Sequence, residues 1–171
     1  MEKRSCAVMG SPTLSFPWGF DEDDEVCCAL KLLVINKIFQ LYKQGILRFI
    51  IPMDSGIGLY AAEAINVLRE SHADMELVCY VPYEEQAVKW PPQLRDRYFA
   101  VVENCTEEEF ISTDKTPTCE LDAMLEAIDQ ARTVLAVCSA TEIQDINLAA
   151  ALRYAERTGR EIIRILPPEI Y

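Results

Sequence analysis

Residues 48–63 read RFIIPMDSGIGLYAAE and join a short β-rich run to a helical one. The branched and aromatic residues of Arg48–Pro52 predict a strand. Ile57–Ala73 predicts a helix, because apolar residues recur there at the spacing of one helical face. The turn Asp54-Ser55-Gly56 joins the two. A strand that leads through a short turn into a long helix is the repeating unit of a parallel sheet covered by helices.

The same alternation of β-rich and helical runs continues along the chain. Further strands are predicted at Ser5–Met9, Glu76–Val81, Glu109–Ser112, Val134–Cys138 and Glu161–Leu166. Further helices are predicted after the acidic run 21–25 up to Gly45, from Pro91-Pro92 to about Asn104, over Thr118–Ala131, and from a capping box at 141–144 to Thr158. The sequence thus predicts an α/β fold, a three-layer Rossmann-like and mostly parallel sheet with helices on both faces. Residues 1–171 are assigned to a single domain, which the length favours.

Composition and charge exclude several classes of function. The 171 residues carry a formal net charge of −12, so the phosphate backbone of a nucleic acid is repelled and non-specific binding to it is disfavoured. No apolar run reaches the roughly 18 residues that a membrane span needs. The apolar run Cys6–Met9 is too short for the core of a signal peptide. We therefore expect a cytoplasmic protein that has no membrane partner.

Seven cysteines and a single histidine offer little metal or nucleophilic chemistry. The cysteines form no C-x-x-C pair, whereas zinc sites usually combine paired cysteines with histidine. Cys6, Cys79 and Cys138 lie within apolar runs, and we expect them to be buried, reduced thiols. No metal site is therefore predicted, and no catalytic residue is assigned.

Three loops that follow predicted strands are candidates for a ligand site, because ligands of such sheets bind beyond the carboxyl ends of the strands. They are Gly10-Ser11-Pro12, Asp54-Ser55-Gly56 and Ser139-Ala140-Thr141. Gly56 and Gly58 would let a phosphate or ribose approach the main chain, and the first amides of the following helix can bind an anion. Ser55 would cap that helix or bind the ligand. A turn without a ligand and a solvated Glu63 explain the same pattern, so both interpretations stay open.

A second candidate stretch, Pro82–Trp90, follows the third predicted strand directly. Tyr83 and Trp90 would stack on a base, and Gln86 would form a hydrogen bond with it. The alternative is a hinge between loop and helix whose aromatic side chains cover the edge of the sheet. The stretch alone does not decide between the two.

Together the two stretches resemble the YpsA-like branch of the SLOG superfamily, whose relatives include the LOG and DprA/Smf proteins. The branch pattern has a Thr-Gly turn after strand one, then Gly-x-x-x-x-Ala-Ala-Glu, then Pro-Phe-x-x-Gln-x-x-x-Trp. This chain has Met9-Gly10, Gly58–Glu63 with slightly different glycine spacing, and Pro82-Tyr83-x-x-Gln86-x-x-x-Trp90. The resemblance extends from the first strand to about Tyr98. It implies a Rossmann-like fold and a pocket for a nucleotide or nucleotide-derived ligand, formed at Gly10, Ser55, Gly56, Glu63, Gln86 and Trp90.

The second half of the chain departs from the family pattern. Where many relatives carry Arg-Asn before the fifth strand, this chain has Glu120-Leu121, and an acid repels a phosphate that an arginine would bind. The phosphate-cradling Gly-Gly-Thr turn is replaced by Ser139-Ala140-Thr141. The Pro-Gly-Gly-x-Gly-Thr-x-x-Glu signature of the LOG phosphoribohydrolases is absent. These departures favour a less charged ligand and argue against catalysis.

The sequence thus predicts a cytoplasmic sensor or regulatory domain that binds a nucleotide-like small molecule. The predicted ligand-binding residues are Gly10, Ser11, Ser55, Gly56, Gly58, Glu63, Gln86, Trp90, Ser139 and Thr141. One alternative is a nucleotide-processing hydrolase that uses Glu63, and another is a protein-interaction module on a degenerate nucleotide-binding scaffold. The cofactor, beyond a nucleotide-like ligand, stays unknown. Relatives of this fold often self-associate, and the sequence does not decide whether this chain forms a homo-oligomer.

Overall fold

A computed structural model describes residues 4–169 and shows an open sheet covered by helices. The strands are β1 (Arg4–Gly10), β2 (Ile46–Pro52), β3 (Glu76–Val81), β4 (Glu107–Phe110), β5 (Thr133–Val137) and β6 (Glu161–Ile165). The α-helices are α1 (Glu25–Lys43), α2 (Ile57–Arg69), α3 (Pro92–Glu103), α4 (Cys119–Asp129) and α5 (Ile146–Arg157). A 3-10 turn spans Thr13–Ser15. The predicted three-layer Rossmann-like α/β fold is confirmed.

All strand pairs in the described residues are parallel, and the strand order is β4-β3-β2-β1-β5-β6. From β1 the chain steps outward through β2 and β3 to β4 and then crosses back to β5 on the other side of β1. The strand order therefore reverses next to β1. In an open parallel sheet the crevice for a ligand lies at this point, beyond the carboxyl ends of the strands.

The central strands are buried on both faces, which explains their nearly continuous apolar sequence. Cys6 and Val8 of β1 pack on the side of α1, α2 and α3. Ala7 and Met9 alternate with them and pack on the side of α4 and α5. Two apolar cores, one on each face of the sheet, therefore hold the three layers together.

The acidic run before α1 contains the residue that caps the N-terminus of this helix. Asp24 is the N-cap, and its Oδ1 accepts hydrogen bonds from the amides of Val26 and Cys27 at 2.9 and 3.1 Å. The helix ends at Lys43, and Gly45 follows with φ +101°, a conformation that glycine adopts at the least cost. The predicted extent of α1 therefore has a physical cause at both ends.

Several predicted boundaries differ from those of the structure, and three of these differences have a local reason. The helix expected to reach Ala73 ends at Arg69, because turns there bring Met75 back into the core. The capping box at 141–144 does not start α5; Asp145 is its N-cap and accepts from the amide of Leu148 at 2.7 Å. Strand β4 begins two residues earlier than expected and is exposed throughout, so no apolar alternation marks it.

No helix of residues 4–169 combines the length and the apolar character that crossing a membrane requires.

Replacement of the α1 cap is expected to destabilise the fold. Asp24→Ala leaves two first-turn amides without their acceptor and should lower the free energy of unfolding by about 1 kcal/mol. Urea denaturation followed by circular dichroism measures this change. Asp23→Ala, at the exposed neighbouring carboxylate, is the matched control and should change the stability by less. Equal losses in both variants would show that the cap does not stabilise α1.

Candidate functional site

A cleft of about 190 Å³ lies at the carboxyl ends of β1, β2 and β3. Its wall is formed by the loops after these three strands, together with the first turns of α4 and α5. We call it the carboxyl-edge cleft. Of the residues predicted to bind a ligand, the structure brings Gly10, Ser55 and Gln86 together in its wall.

Gln86 is a buried polar side chain of the carboxyl-edge cleft, with 7% of its surface exposed. Its Nε2 donates a hydrogen bond to the carbonyl oxygen of Met53 at 2.7 Å, which ties the β3 loop to the β2 loop. Its Oε1 is buried and has no hydrogen-bond partner among the described residues. A buried acceptor without a donor is rare in folded proteins and demands an explanation.

The carboxylate of Asp54 occupies the start of α2. Its Oδ1 accepts hydrogen bonds from the amides of Gly56 and Gly58 at 2.8 and 2.9 Å. These are the amides that the sequence pattern offers to a ligand anion, and here a protein carboxylate satisfies them. Burial raises the pKa of Asp54 to about 6, the two amide hydrogen bonds oppose this only in part, and the negative charge of Glu120 adds to the rise.

The predicted glycines are in contact with protein atoms. A Cβ at Gly10 would lie 2.5 Å from Cγ1 of Ile57, and one at Gly58 would lie 2.7 Å from the carbonyl oxygen of Pro52. A Cβ at Gly56 would lie 2.7 Å from Oγ1 of Thr13. These glycines let α2 approach β1 and the loops after β1 and β2 closely, and this packing requires them whether or not a ligand binds.

Two serine hydroxyls connect the loops at this edge of the sheet. Ser55 and Thr13 form a hydrogen bond between their hydroxyl oxygens, at 2.9 Å, across the loops after β2 and β1. Ser11 is buried, and its Oγ accepts from the amide of Ser139 at 2.9 Å. The loops after β1, β2 and β5 are therefore linked by side-chain hydrogen bonds.

Ser139 and Thr141 line a different cleft from that of Gln86. This second cleft, of about 350 Å³, also lies against Trp18, Asp24 and Leu166. The structure thus places two of the predicted residues beside the end of β6 rather than beside β2 and β3. Ser11 bridges the two regions through its bond to Ser139.

Glu63 and Trp90 lie outside the carboxyl-edge cleft. Both carboxylate oxygens of Glu63 accept from Arg97, at 2.6 and 3.1 Å, and Arg97 also donates to both oxygens of Glu22, at 2.6 and 2.9 Å. This ion network borders a groove of about 440 Å³ on the outer face of α1 and α2. Burial raises the pKa of Glu22, but the hydrogen bonds and charges of Arg97 and Lys31 outweigh burial and hold that pKa below its ordinary value.

Trp90 packs edge-on against Tyr98, with the ring centroids 5.2 Å apart.

The ligand-binding residues predicted from the sequence do not include three acidic residues of the cleft wall, Asp54, Glu120 and Asp145, although Asp54 belongs to a nominated loop and Glu120 was noted as an acid in place of an arginine. Each stands at or just before a helix start, where acids are favoured in any protein, so their pattern alone does not mark a site. No group of three histidine, cysteine or acidic side chains within residues 4–169 is arranged to hold a metal ion.

An all-parallel sheet with a cleft at its carboxyl edge, next to the point where the strand order reverses, defines a Rossmann-like α/β domain. Residues 8–164 match the family model YpsA, described as the YspA SLOG family, and the chain belongs to this family. The resemblance stated from the sequence is therefore confirmed.

Individual relatives match a shorter region. The chain is similar to the UPF0398 protein YpsA of Bacillus subtilis, with 28% identity over 83 residues, which covers 48% of this chain and 46% of that protein. A UPF0398 protein of Bacillus licheniformis is 29% identical over 83 residues, 48% of this chain and 45% of that protein. The matched region thus spans less than half the length of these curated relatives.

The raised pKa of Asp54 predicts a pH-dependent stability difference between the wild type and Asp54→Asn. Between the ordinary pKa of 3.8 and about 6 the folded protein binds more protons than the unfolded chain, so ionisation of Asp54 destabilises the fold as the pH rises through this range. The asparagine keeps an acceptor for both amides and carries no charge. We expect Asp54→Asn to become more stable than the wild type by about 1–3 kcal/mol at pH 7, with the advantage vanishing towards pH 4.

Urea denaturation at several pH values between 4 and 7.5 measures this difference. Asp96→Asn, at an exposed position on α3, is the control and should show no such trend. A stability difference between Asp54→Asn and the wild type that is constant with pH, or that shrinks as the pH rises, would contradict the raised pKa of Asp54.

Proposed function

We propose that the carboxyl-edge cleft binds a small nucleotide-derived molecule and that the protein is a binding or sensor domain. The observation that carries this proposal is the buried Oε1 of Gln86, which has no donor among the described residues although its side chain lines a cleft. Leaving such an acceptor unpaired costs about 1–3 kcal/mol. A ligand that donates an N–H group removes this cost on binding.

The position of Gln86 suits recognition. Its Nε2 is held by the carbonyl oxygen of Met53, whose own amide donates to the carbonyl oxygen of Tyr80 at 2.9 Å. The side-chain amide is therefore oriented before a ligand arrives, which reduces the entropy lost on binding. Nucleobases present N–H donors at their edges, so a base is a fitting partner for Oε1.

The size of the cleft supports a small ligand or a small part of one. Its volume of about 190 Å³ is below the roughly 300–1,000 Å³ of pockets that enclose drug-sized molecules. A base, with part of its ribose, is therefore a better match than a complete dinucleotide.

Binding without turnover is the function that the polar groups of the cleft support best. Of the three carboxylates of the wall, Asp54 is engaged by two amides and Asp145 by the amide of Leu148, whereas Glu120 is an exposed side chain in the first turn of α4. Glu63 lies outside the cleft and is paired with Arg97, so the geometry gives no support to a hydrolase reaction in this cleft that uses Glu63.

Thermal melting against a panel of bases, nucleosides and nucleotides tests the proposal. A ligand at 100 times its dissociation constant stabilises the fold by about 2.7 kcal/mol, which raises the melting temperature of a domain of this size by several degrees. We expect such a shift with the wild type and its loss in Gln86→Met, which keeps the length of the side chain and removes both polar atoms.

Gln93→Met, at an exposed position on α3, is the matched control and should keep the ligand response. Melting without ligand separates a folding defect from a binding defect, because Gln86→Met also loses its bond to Met53. A flat panel, or an unchanged ligand shift in folded Gln86→Met, would contradict the proposal.

A further inference from the structure

Three helices begin at the carboxyl-edge cleft, and each places a carboxylate in its wall. Asp54 accepts from the first amides of α2, and Asp145 is the N-cap of α5. Glu120 lies in the first turn of α4. The N-terminus of a helix carries a partial positive charge and free amides, and these normally attract phosphate groups. In this protein an acidic side chain of the same chain lies at each of the three helix starts and offsets the partial positive charge there.

Cations that would offset these carboxylates are missing from the cleft wall. Among the described residues no lysine, arginine or histidine lines it. Arg97 is held by Glu22 and Glu63 in the groove of α1 and α2. Lys115 lies over the ring of Tyr83, with Nζ 5.9 Å from the ring centroid, outside the cleft wall. A phosphate placed in the cleft would therefore meet three carboxylates and no basic side chain of the wall.

We infer that the carboxyl-edge cleft selects a phosphate-free ligand, a nucleobase or nucleoside with N–H donors, and discriminates against the corresponding nucleoside phosphate. This inference rests on the proposed function, since it names the ligand class of the same cleft. The unpaired acceptor of Gln86 and the three carboxylates attract hydrogen-bond donors and positive charge. A 5′-phosphate brings about two negative charges into the same field and finds the first amides of α2 already bonded to Asp54.

Titration calorimetry with matched ligand pairs tests the inference. Adenosine, cytidine and guanosine are each compared with their 5′-monophosphates at pH 7.5 and constant ionic strength, without divalent cations. We expect at least one nucleoside to bind and its monophosphate to bind at least tenfold more weakly. Purine riboside, which lacks the amino group of adenosine, should bind more weakly than adenosine if adenosine is the ligand.

A charge variant identifies the cause of the discrimination. Glu120→Gln removes the exposed carboxylate at the start of α4 and should reduce the ratio of monophosphate to nucleoside dissociation constants severalfold. Glu126→Gln, at an exposed position of the same helix outside the cleft wall, should leave the ratio unchanged. Melting curves of both variants confirm that they are folded.

The outcomes separate this inference from the proposed function. A monophosphate that binds as tightly as its nucleoside, or more tightly, overturns the phosphate-free ligand class and leaves ligand binding at the cleft intact. A ratio that Glu120→Gln does not change overturns the electrostatic cause. The absence of binding by every base, nucleoside and nucleotide overturns both proposals.

Discussion

The pair of hydrogen bonds from the amides of Gly56 and Gly58 to Asp54 fixes the edge of the sheet on which the cleft is built. They hold the start of α2 against the end of β2. Ile57 then packs where a Cβ of Gly10 would otherwise lie, so α2 also closes on β1. The loops after β1 and β2 meet across the bond between Thr13 and Ser55. Burial raises the pKa of Asp54, which means that the ionised carboxylate is disfavoured at this position. The hydrogen bonds that stabilise this edge of the sheet therefore form at an electrostatic cost.

The alternation of strands and helices was predictable because it depends on local apolar patterns. Buried strands such as β1 and β5 are short continuous apolar runs, and these are readable without knowledge of their neighbours. Strand β4 was misplaced because its residues are exposed and its register is fixed by pairing with β3, a long-range interaction. The start of α5 was misplaced because Thr141 and Asp145 are both good caps, and only the tertiary structure selects between them.

The loops around the candidate site were predictable from topology, whereas the partners of each side chain were not. Gly10 ends β1, whereas Ser55 and Gln86 follow β2 and β3, and parallel strands bring their carboxyl ends to one edge. Glu63 lies further along α2, where its pairing with Arg97 joins residues 34 positions apart. The sequence likewise predicts unpaired amides at the start of α2, but it does not reveal that the side chain of the preceding Asp54 accepts hydrogen bonds from them. A backbone amide that the sequence pattern suggests as a ligand contact can thus be hydrogen-bonded to a neighbouring side chain in the folded protein.

The exposed outer strand β4 bears on the behaviour of the protein at high concentration. The free edge of a sheet is a template for a strand of another molecule, and repeated addition of strands leads to fibrous aggregates. In β4 this edge carries Glu107, Glu108 and Glu109 in succession. Glu107 forms an ion pair with Arg48 of β2, with its Oε2 2.7 Å from Nη2 of the arginine, across the intervening strand β3. Two such edges carry like charges and repel each other while these side chains are ionised, and charged residues of this kind protect edge strands against pairing with one another.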